Sequence, residues 1–289
     1  MANAGEGSGQ AALEKIADEY RAAYAARDAG RLKVAAGVRF TENNVELRFP
    51  DASWDVLTEE VGPALTFSDP VTGNVGIYTA IMMSETQAFM AIRLKVADGA
   101  ISEIEHIMST RRLISSPPTP YGDVASFRHD PDLARPLQPG ERSSREAMIA
   151  LANGYWETLE NNTGEIRGTK FAPGAKRFEN GKEFDEIEEG FTLGRYAFNE
   201  RVRDRDFMVV DESRGLVMSR AFIDHKGLMD AYTLTDGSER RSPFREPHTW
   251  SVLEVFKIRN GMISGIEAAF IGAPYYQRSP WTPKDSKYK

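Results

Sequence analysis

The chain of 289 residues contains no cysteine. That excludes a disulfide framework, a thiolate metal site and a cysteine nucleophile. No apolar run approaches the roughly 18 residues of a membrane-spanning helix. Basic residues are outnumbered, 36 Lys and Arg against 43 Asp and Glu, for a net charge of −7. Without a basic field, neither nucleic acid nor an anionic membrane is an expected partner. The N-terminus has no apolar stretch behind a basic start, so no secretory signal and a cytoplasmic location are expected. Also missing are a GxGxxG after a strand, a Walker loop, HExxH and GxSxG. No cofactor and no metal site are therefore expected.

What is present is a repetition. Residues 89–105 read FMAIRLKVADGAISEIE and residues 251–267 read SVLEVFKIRNGMISGIE. RFTENN at Arg39–Asn44 likewise has a partner in RFENGK at Arg177–Lys182. Similarity in a fixed order over half a chain predicts two copies of one domain. The expected layout is a first domain over 11–112, a proline-rich linker over 113–142, a second domain over 143–272 and a tail over 273–289. The Gly-rich lead 1–10 is expected to be disordered. Leu13, Ile16, Ala17, Tyr20, Ala23 and Tyr24 recur at helical spacing, which predicts a helix over 11–32 stopped near Gly30. Ser143-Ser144-x-Glu146 resembles a capping box and starts a second helix. Asp98-Gly99, Asn180-Gly181 and Asn260-Gly261 predict hairpins. Residues 54–64 read as irregular or a short helix. Residues 227–247 are an insertion in the second copy, expected to lie as a loop near a cavity mouth. The linker should wrap one domain onto the other.

Each unit therefore reads as a long helix, a hairpin, helical matter and three long antiparallel strands. A strongly bent sheet around helices, an α+β solution, fits that order. It resembles the NTF2-like fold, the cone-shaped barrel also called SnoaL-like or cystatin-like. The pieces RFTENNVEL, AIRLKVADGAISEIE, IALANGYW, RFENG, RDRDFMVVDESRGLV and LEVFKIRNGMISGIEAAF resemble a two-copy family known as DUF8021. The resemblance implies two tandem cones forming an intramolecular pseudo-dimer. It is specific for fold and nearly silent on chemistry.

The repeat also serves as an internal control. In the strand over 249–259, Trp250, Val252, Glu254, Phe256 and Ile258 share one face by the two-residue period. Glu254 thus interrupts an apolar stripe, and its match in copy one is Ile92. A carboxyl desolvated there would have a raised pKa and could act as general acid or base; the bland alternative is a buried Glu neutralised by an Arg. His106, matched by Ala268, is a second proton-transfer candidate, set against a half-buried imidazole bonded to a carbonyl. Asp224 and His225 end a strand on opposite faces, and His248 stands near the same rim; these complete the catalytic and rim candidates. Arg93, Tyr78, Tyr196, Arg201, His248 and Trp250 are candidate substrate contacts, with a domain–domain salt bridge the simpler role for Arg93. Glu42/Glu179, Lys95/Lys257 and Glu105/Glu267 recur in both copies and read as scaffold.

Two functions fit. One is a cofactor-independent acid–base enzyme, a lyase, dehydratase or isomerase, on a small, largely apolar, aromatic molecule. Enzymes with the resembled fold include ketosteroid isomerases, scytalone dehydratase, polyketide cyclases and lyases that release formaldehyde by retro-aldol-type chemistry. The other is a non-catalytic ligand carrier or interaction module. Self-association into a homo-oligomer stays open.

Overall fold

The computed structural model describes residues 4–111, 120–184 and 186–282. The first domain comprises α1 (Ala4–Ala25), β1 (Val34–Glu42), β2 (Val45–Leu47), α2 (Ser53–Val56), β3 (Glu59–Asp69), β4 (Asn74–Met83), β5 (Thr86–Ala97) and β6 (Ala100–Thr110). A connecting segment containing α3 (Pro131–Ala134) leads to the second domain. That domain comprises α4 (Arg145–Leu159), β7 (Phe171–Glu179), β8 (Lys182–Phe184), α5 (Ile187–Thr192), β9 (Arg201–Asp211), β10 (Leu216–His225), β11 (Ala231–Thr233), β12 (Glu239–Arg241), β13 (His248–Arg259) and β14 (Met262–Pro274).

The two six-stranded sheets have the same order, β2-β1-β6-β5-β4-β3 and β8-β7-β14-β13-β10-β9. In both, one parallel pairing (β1 with β6, β7 with β14) interrupts antiparallel neighbours. The chain is thus two tandem α+β domains of one topology, as the repeat predicts. The hairpins sit where Asx-Gly dipeptides predict them, with left-handed backbone at Asp98-Gly99 (φ 53 and 68) and Asn260-Gly261 (φ 53 and 70). Ser144 caps α4 by accepting from Ala147 N at 3.3 Å.

The concave face of each sheet packs on its own helix. Tyr20, Tyr24 and Trp54 fill the first core, and Tyr155, Trp156, Phe191 and Phe256 the second. The outer faces of the sheets meet each other through Leu65, Phe67, Tyr78, Met218, Leu253 and Val255. Alternation along β13 explains the division. Val252 and Phe256 enter the second cone, while Leu253 and Val255 enter the interdomain core. Within that interface Glu105 accepts from Arg220 Nε at 2.6 Å and from Arg93 Nε at 2.8 Å. Burial pushes the Glu105 carboxyl up, but Arg220 and Arg93 outweigh it and hold its pKa below the usual value.

Several expectations change. The helix begins earlier than position 11 and ends at Ala25, and Gly30 lies in a separate 3-10 turn, Ala29–Arg31. Residues 4–10 of the expected disordered lead are helical; Gln10 donates to Asp211 of the second domain at 2.8 Å, which anchors them. After the hairpin and short helix each domain has four long strands rather than three. β3 was hidden by Gly62 and Pro63, and both are tolerable on this edge strand, whose register shifts between Val61 and Leu65. The connecting segment does wrap: Val124 packs on Phe89 and Leu133 enters the interdomain core. The part of the expected linker over 113–119 lies outside the described residues, as does the tail beyond 282. Among the described residues no helix is long and apolar enough to cross a membrane.

Candidate active site in the second cone

A cavity of about 400 Å³ opens in the second domain between α4, the concave sheet and the insertion after β10. Strand alternation supplies Trp250, Val252 and Glu254 from β13 and Arg177 and Glu179 from β7. α4 adds Tyr155 and Trp156, the segment after α5 adds Tyr196 and Phe198, and the insertion adds Phe244. The walls are mainly aromatic, with a polar cluster at one side, the usual character of a small-molecule site.

Glu254 is 3% exposed. Burial pushes its pKa up to about 8, the Glu179 charge adds to this, and Arg177 and a hydrogen bond with Tyr155 pull it back. Arg177 is the organiser. It donates to the Tyr196 hydroxyl at 2.8 Å and to the Tyr155 hydroxyl at 3.2 Å, and its Nε lies 2.8 Å from Glu179. Burial opposes its charge, but Glu179 and the two tyrosines outweigh that, so it stays a guanidinium. A tyrosine oxygen that accepts from a cation gives up its own proton more readily in a hydrogen bond. Tyr155 makes its hydrogen bond with Glu254. The Tyr196 hydroxyl is thus disposed to donate to an oxygen held in the cavity. A proton-exchanging carboxyl beside a polarised hydroxyl can move a proton at carbon while holding an adjacent oxyanion.

Of the residues singled out from sequence, Glu254, Tyr196 and Trp250 meet at this cavity. The others do not. His225 stacks on His248 (centroids 4.4 Å) behind Phe244 and Trp250. Its Nε2 bonds Asn199 Oδ1 at 2.8 Å, and burial with the His248 neighbour holds its pKa well below the ordinary value. His248 is also lowered, by burial, and its Nδ1 donates to Glu246 O at 3.0 Å. Both are neutral wall imidazoles, not rim catalysts. Asp224 faces away and is neutralised by Arg203 and Arg201, each Nε at 2.8 Å, with Thr249 at 2.7 Å. Arg201 is thereby used in structure, stacked on Tyr276 at 4.6 Å. Arg93 lies in the interdomain salt bridge, and Tyr78 in the interdomain core beside Phe67. Each sits on the opposite face of its sheet from the cone, because one step along a strand reverses the side. Among the described residues no group of three or more His, Asp or Glu is placed to hold a metal ion.

His106 belongs to the other cone. Tyr20, Tyr24 and Phe40 pack around its ring, with centroids at 6.1, 5.5 and 5.2 Å. Its Nε2 bonds the Tyr20 hydroxyl at 2.7 Å and its Nδ1 stands 3.4 Å from Glu42. It is a satisfied core imidazole.

Arg177 and Glu179 were the residues sequence reasoning did not assign to the site. Matching RF to RF puts Arg177 opposite Arg39. The hairpin register instead pairs Phe40 with Leu47 and Arg177 with Phe184, so Phe40 is the structural counterpart of Arg177. Arg39 faces outward and bonds Glu46 at 2.8 Å. The hairpin Glu-Asn dipeptides, aligned as the fixed point, carry the signal that could have found Arg177. Glu179 shares its strand position with Glu42, yet it lines the cavity, so recurrence did not make it scaffold alone.

No curated protein matches the chain. Three solved structures resemble single domains. A provisionally assigned ketosteroid isomerase from Kribbella flavida is 12% identical, with 42% of this chain and 92% of that one covered at a TM-score of 0.29. A loop-truncation variant of IdmH is 16% identical (44% and 92% covered, TM-score 0.28). An uncharacterized protein with a cystatin-like fold from Caulobacter vibrioides is 14% identical (44% and 88%, TM-score 0.26). Residues 141–270, the domain that holds the open cavity, match the family model described as a domain of unknown function, DUF8021.

Proposed function

We propose that the second domain is a cofactor-independent acid–base catalyst acting on a small, largely apolar, aromatic molecule that carries a carbonyl or phenolic oxygen. Glu254 moves the proton, and Tyr196, polarised by Arg177, holds the oxygen as charge develops there. The observation that carries this reading is Glu254, buried in an open aromatic cavity with a pKa of about 8, beside a guanidinium that reaches it through Tyr155 and also donates to Tyr196. Isomerisation and dehydration begin with a proton transfer at carbon; in a retro-aldol-type release of formaldehyde Glu254 would take the hydroxyl proton as the C–C bond breaks and return it to the carbon. The aromatic packing on His106 in the first cone favours a supporting role for the first domain, a non-catalytic partner in an intramolecular pseudo-dimer.

The test is hydrogen–deuterium exchange by NMR on a panel of small aryl ketones incubated with the protein in D2O. Exchange alpha to the carbonyl, faster than buffer and lost in Glu254→Gln, is the expected result. If the panel exchanges at the buffer rate, or Glu254→Gln exchanges as fast as the natural protein, the reading fails. The non-catalytic carrier is then the surviving alternative.

A further inference from the structure

The two domains differ most between the second and third strands from the far sheet edge. β4 and β5 are joined by Ser84 and Glu85 alone, whereas β10 and β13 are joined by residues 226–247. The domain with the open cone is the one that carries the insertion. Phe244, near its end, lines the cavity. Leu228 and Met229, near its start, are 81% and 39% exposed. They line a second, outer pocket of about 170 Å³. The inner and outer pockets share Phe198, Asn199 and Phe244. Phe198 and Phe244 contact each other with ring centroids 5.0 Å apart, so a pair of aromatic rings is the partition. The insertion's two ends are pinned together. A Cβ at Gly227 would stand 2.5 Å from Glu246 N, and Ser242 N donates to Asp230 O at 3.1 Å.

The charged side chains at the outer pocket, Lys226 and Glu200, pair with each other at 2.5 Å. That leaves no uncompensated charge to draw an ionic group. Exposed apolar side chains beside an aromatic partition suit an apolar occupant. The pockets are separated by that one pair of rings, so an occupant that parts Phe198 from Phe244 spans both as a single ligand.

We infer that the outer pocket is a second subsite: the ligand places its oxygen-bearing ring in the cone and runs an unbranched apolar substituent between Phe198 and Phe244 onto Leu228 and Met229. The inference rests on the proposed reading only for which end of the ligand enters the cone.

The test is isothermal titration of the full chain with phenol, 4-butylphenol and 4-hexylphenol. Affinity should rise with chain length by roughly fourfold per buried methylene until the outer pocket is filled. The double variant Leu228→Asp/Met229→Asp, altered at exposed positions, should lose that gain. A series without a gain in the natural protein, or a gain that persists in the double variant, overturns the inference. Failure of the reading itself shows differently: phenol affinity that ignores Tyr196→Phe contradicts the oxygen end and leaves the chain-length series standing.

Discussion

Glu254 and Ala268 are direct cross-strand partners on β13 and β14. The equivalent partners in the first domain are Ile92 and His106. The full rows read Glu179, Ala268, Glu254, Ser219 in one sheet and Glu42, His106, Ile92, Ile77 in the other. Each row carries a Glu at one end and one further titratable group, but that group has changed strands. Opposite Glu254, a methyl group leaves space. Opposite Ile92, an imidazole fills it and bonds Tyr20.

Ala268→Leu should therefore close the second cone without overpacking it, since the added carbons enter open space. Titration calorimetry is expected to show loss of ligand binding, while urea unfolding shifts by less than about 1 kcal/mol.

The pKa of Glu254, about 8 in the fold against 4.5 ordinarily, makes the folded state bind more protons than the unfolded chain between those values. Stability should fall as pH rises through that window, by at most roughly 5 kcal/mol and by less if water enters. Glu254→Gln should flatten the slope between pH 5 and 9 in denaturation curves. Any activity that needs the carboxylate should rise through about pH 8 and drop at least about 100-fold in the variant.

Tyr196→Phe removes the hydroxyl proposed to hold the ligand oxygen, while Arg177 keeps its contact with Glu179. Affinity for oxygen-bearing ligands should fall by up to about tenfold, the worth of one hydrogen bond. Affinity for the same ring without its oxygen should not change. Calorimetry with matched pairs such as phenol and benzene reads the difference.

Glu105→Ala would take from Arg93 and Arg220 their shared buried carboxylate and leave them the more exposed Glu103 and Asp206, at 2.7 and 3.2 Å. Stability should drop by about 3–5 kcal/mol at neutral pH. In the natural protein the lowered pKa of Glu105 adds stability above the ordinary carboxyl range, which is lost as pH falls through the folded value. Acid unfolding below about pH 4.5 should be weaker in the variant than in the natural chain.

His106→Ala should cost about 1–3 kcal/mol of stability, because the buried Tyr20 hydroxyl loses its 2.7 Å partner and keeps only the Trp54 Nε1–H at 3.3 Å. Exchange activity assigned to the second cone should survive. If it is lost while the fold persists, the first cone is catalytic after all.

The inward placement of Glu254 was legible because a strand's period of two is local, and the apolar residues on either side of it declare the face. The same rule read Arg93 as a possible contact only until the sheet was placed: which face of β5 is the cone and which is the interface depends on α1 and on the other domain. β3 escaped because Gly62 and Pro63 break the pattern on an edge where the sheet tolerates them. Arg177 escaped because letter matching slid the hairpin by one residue, and one residue exchanges the inside of a sheet for the outside.

The sequence by itself determined the repeat, the hairpins at Asp98-Gly99 and Asn260-Gly261, the α+β class and the isolated acid in the β13 stripe. These follow from local periodicity and turn chemistry. Only the tertiary structure decided that aromatic rings pack on His106 in one cone while the other holds a cavity, that Arg177 and Tyr196 join Glu254, and that Asp224 and Arg93 are neutralised elsewhere. Those outcomes depend on cross-strand register and on contacts between residues far apart in the chain, where volume and charge are settled jointly by several elements and no short stretch of sequence holds the answer.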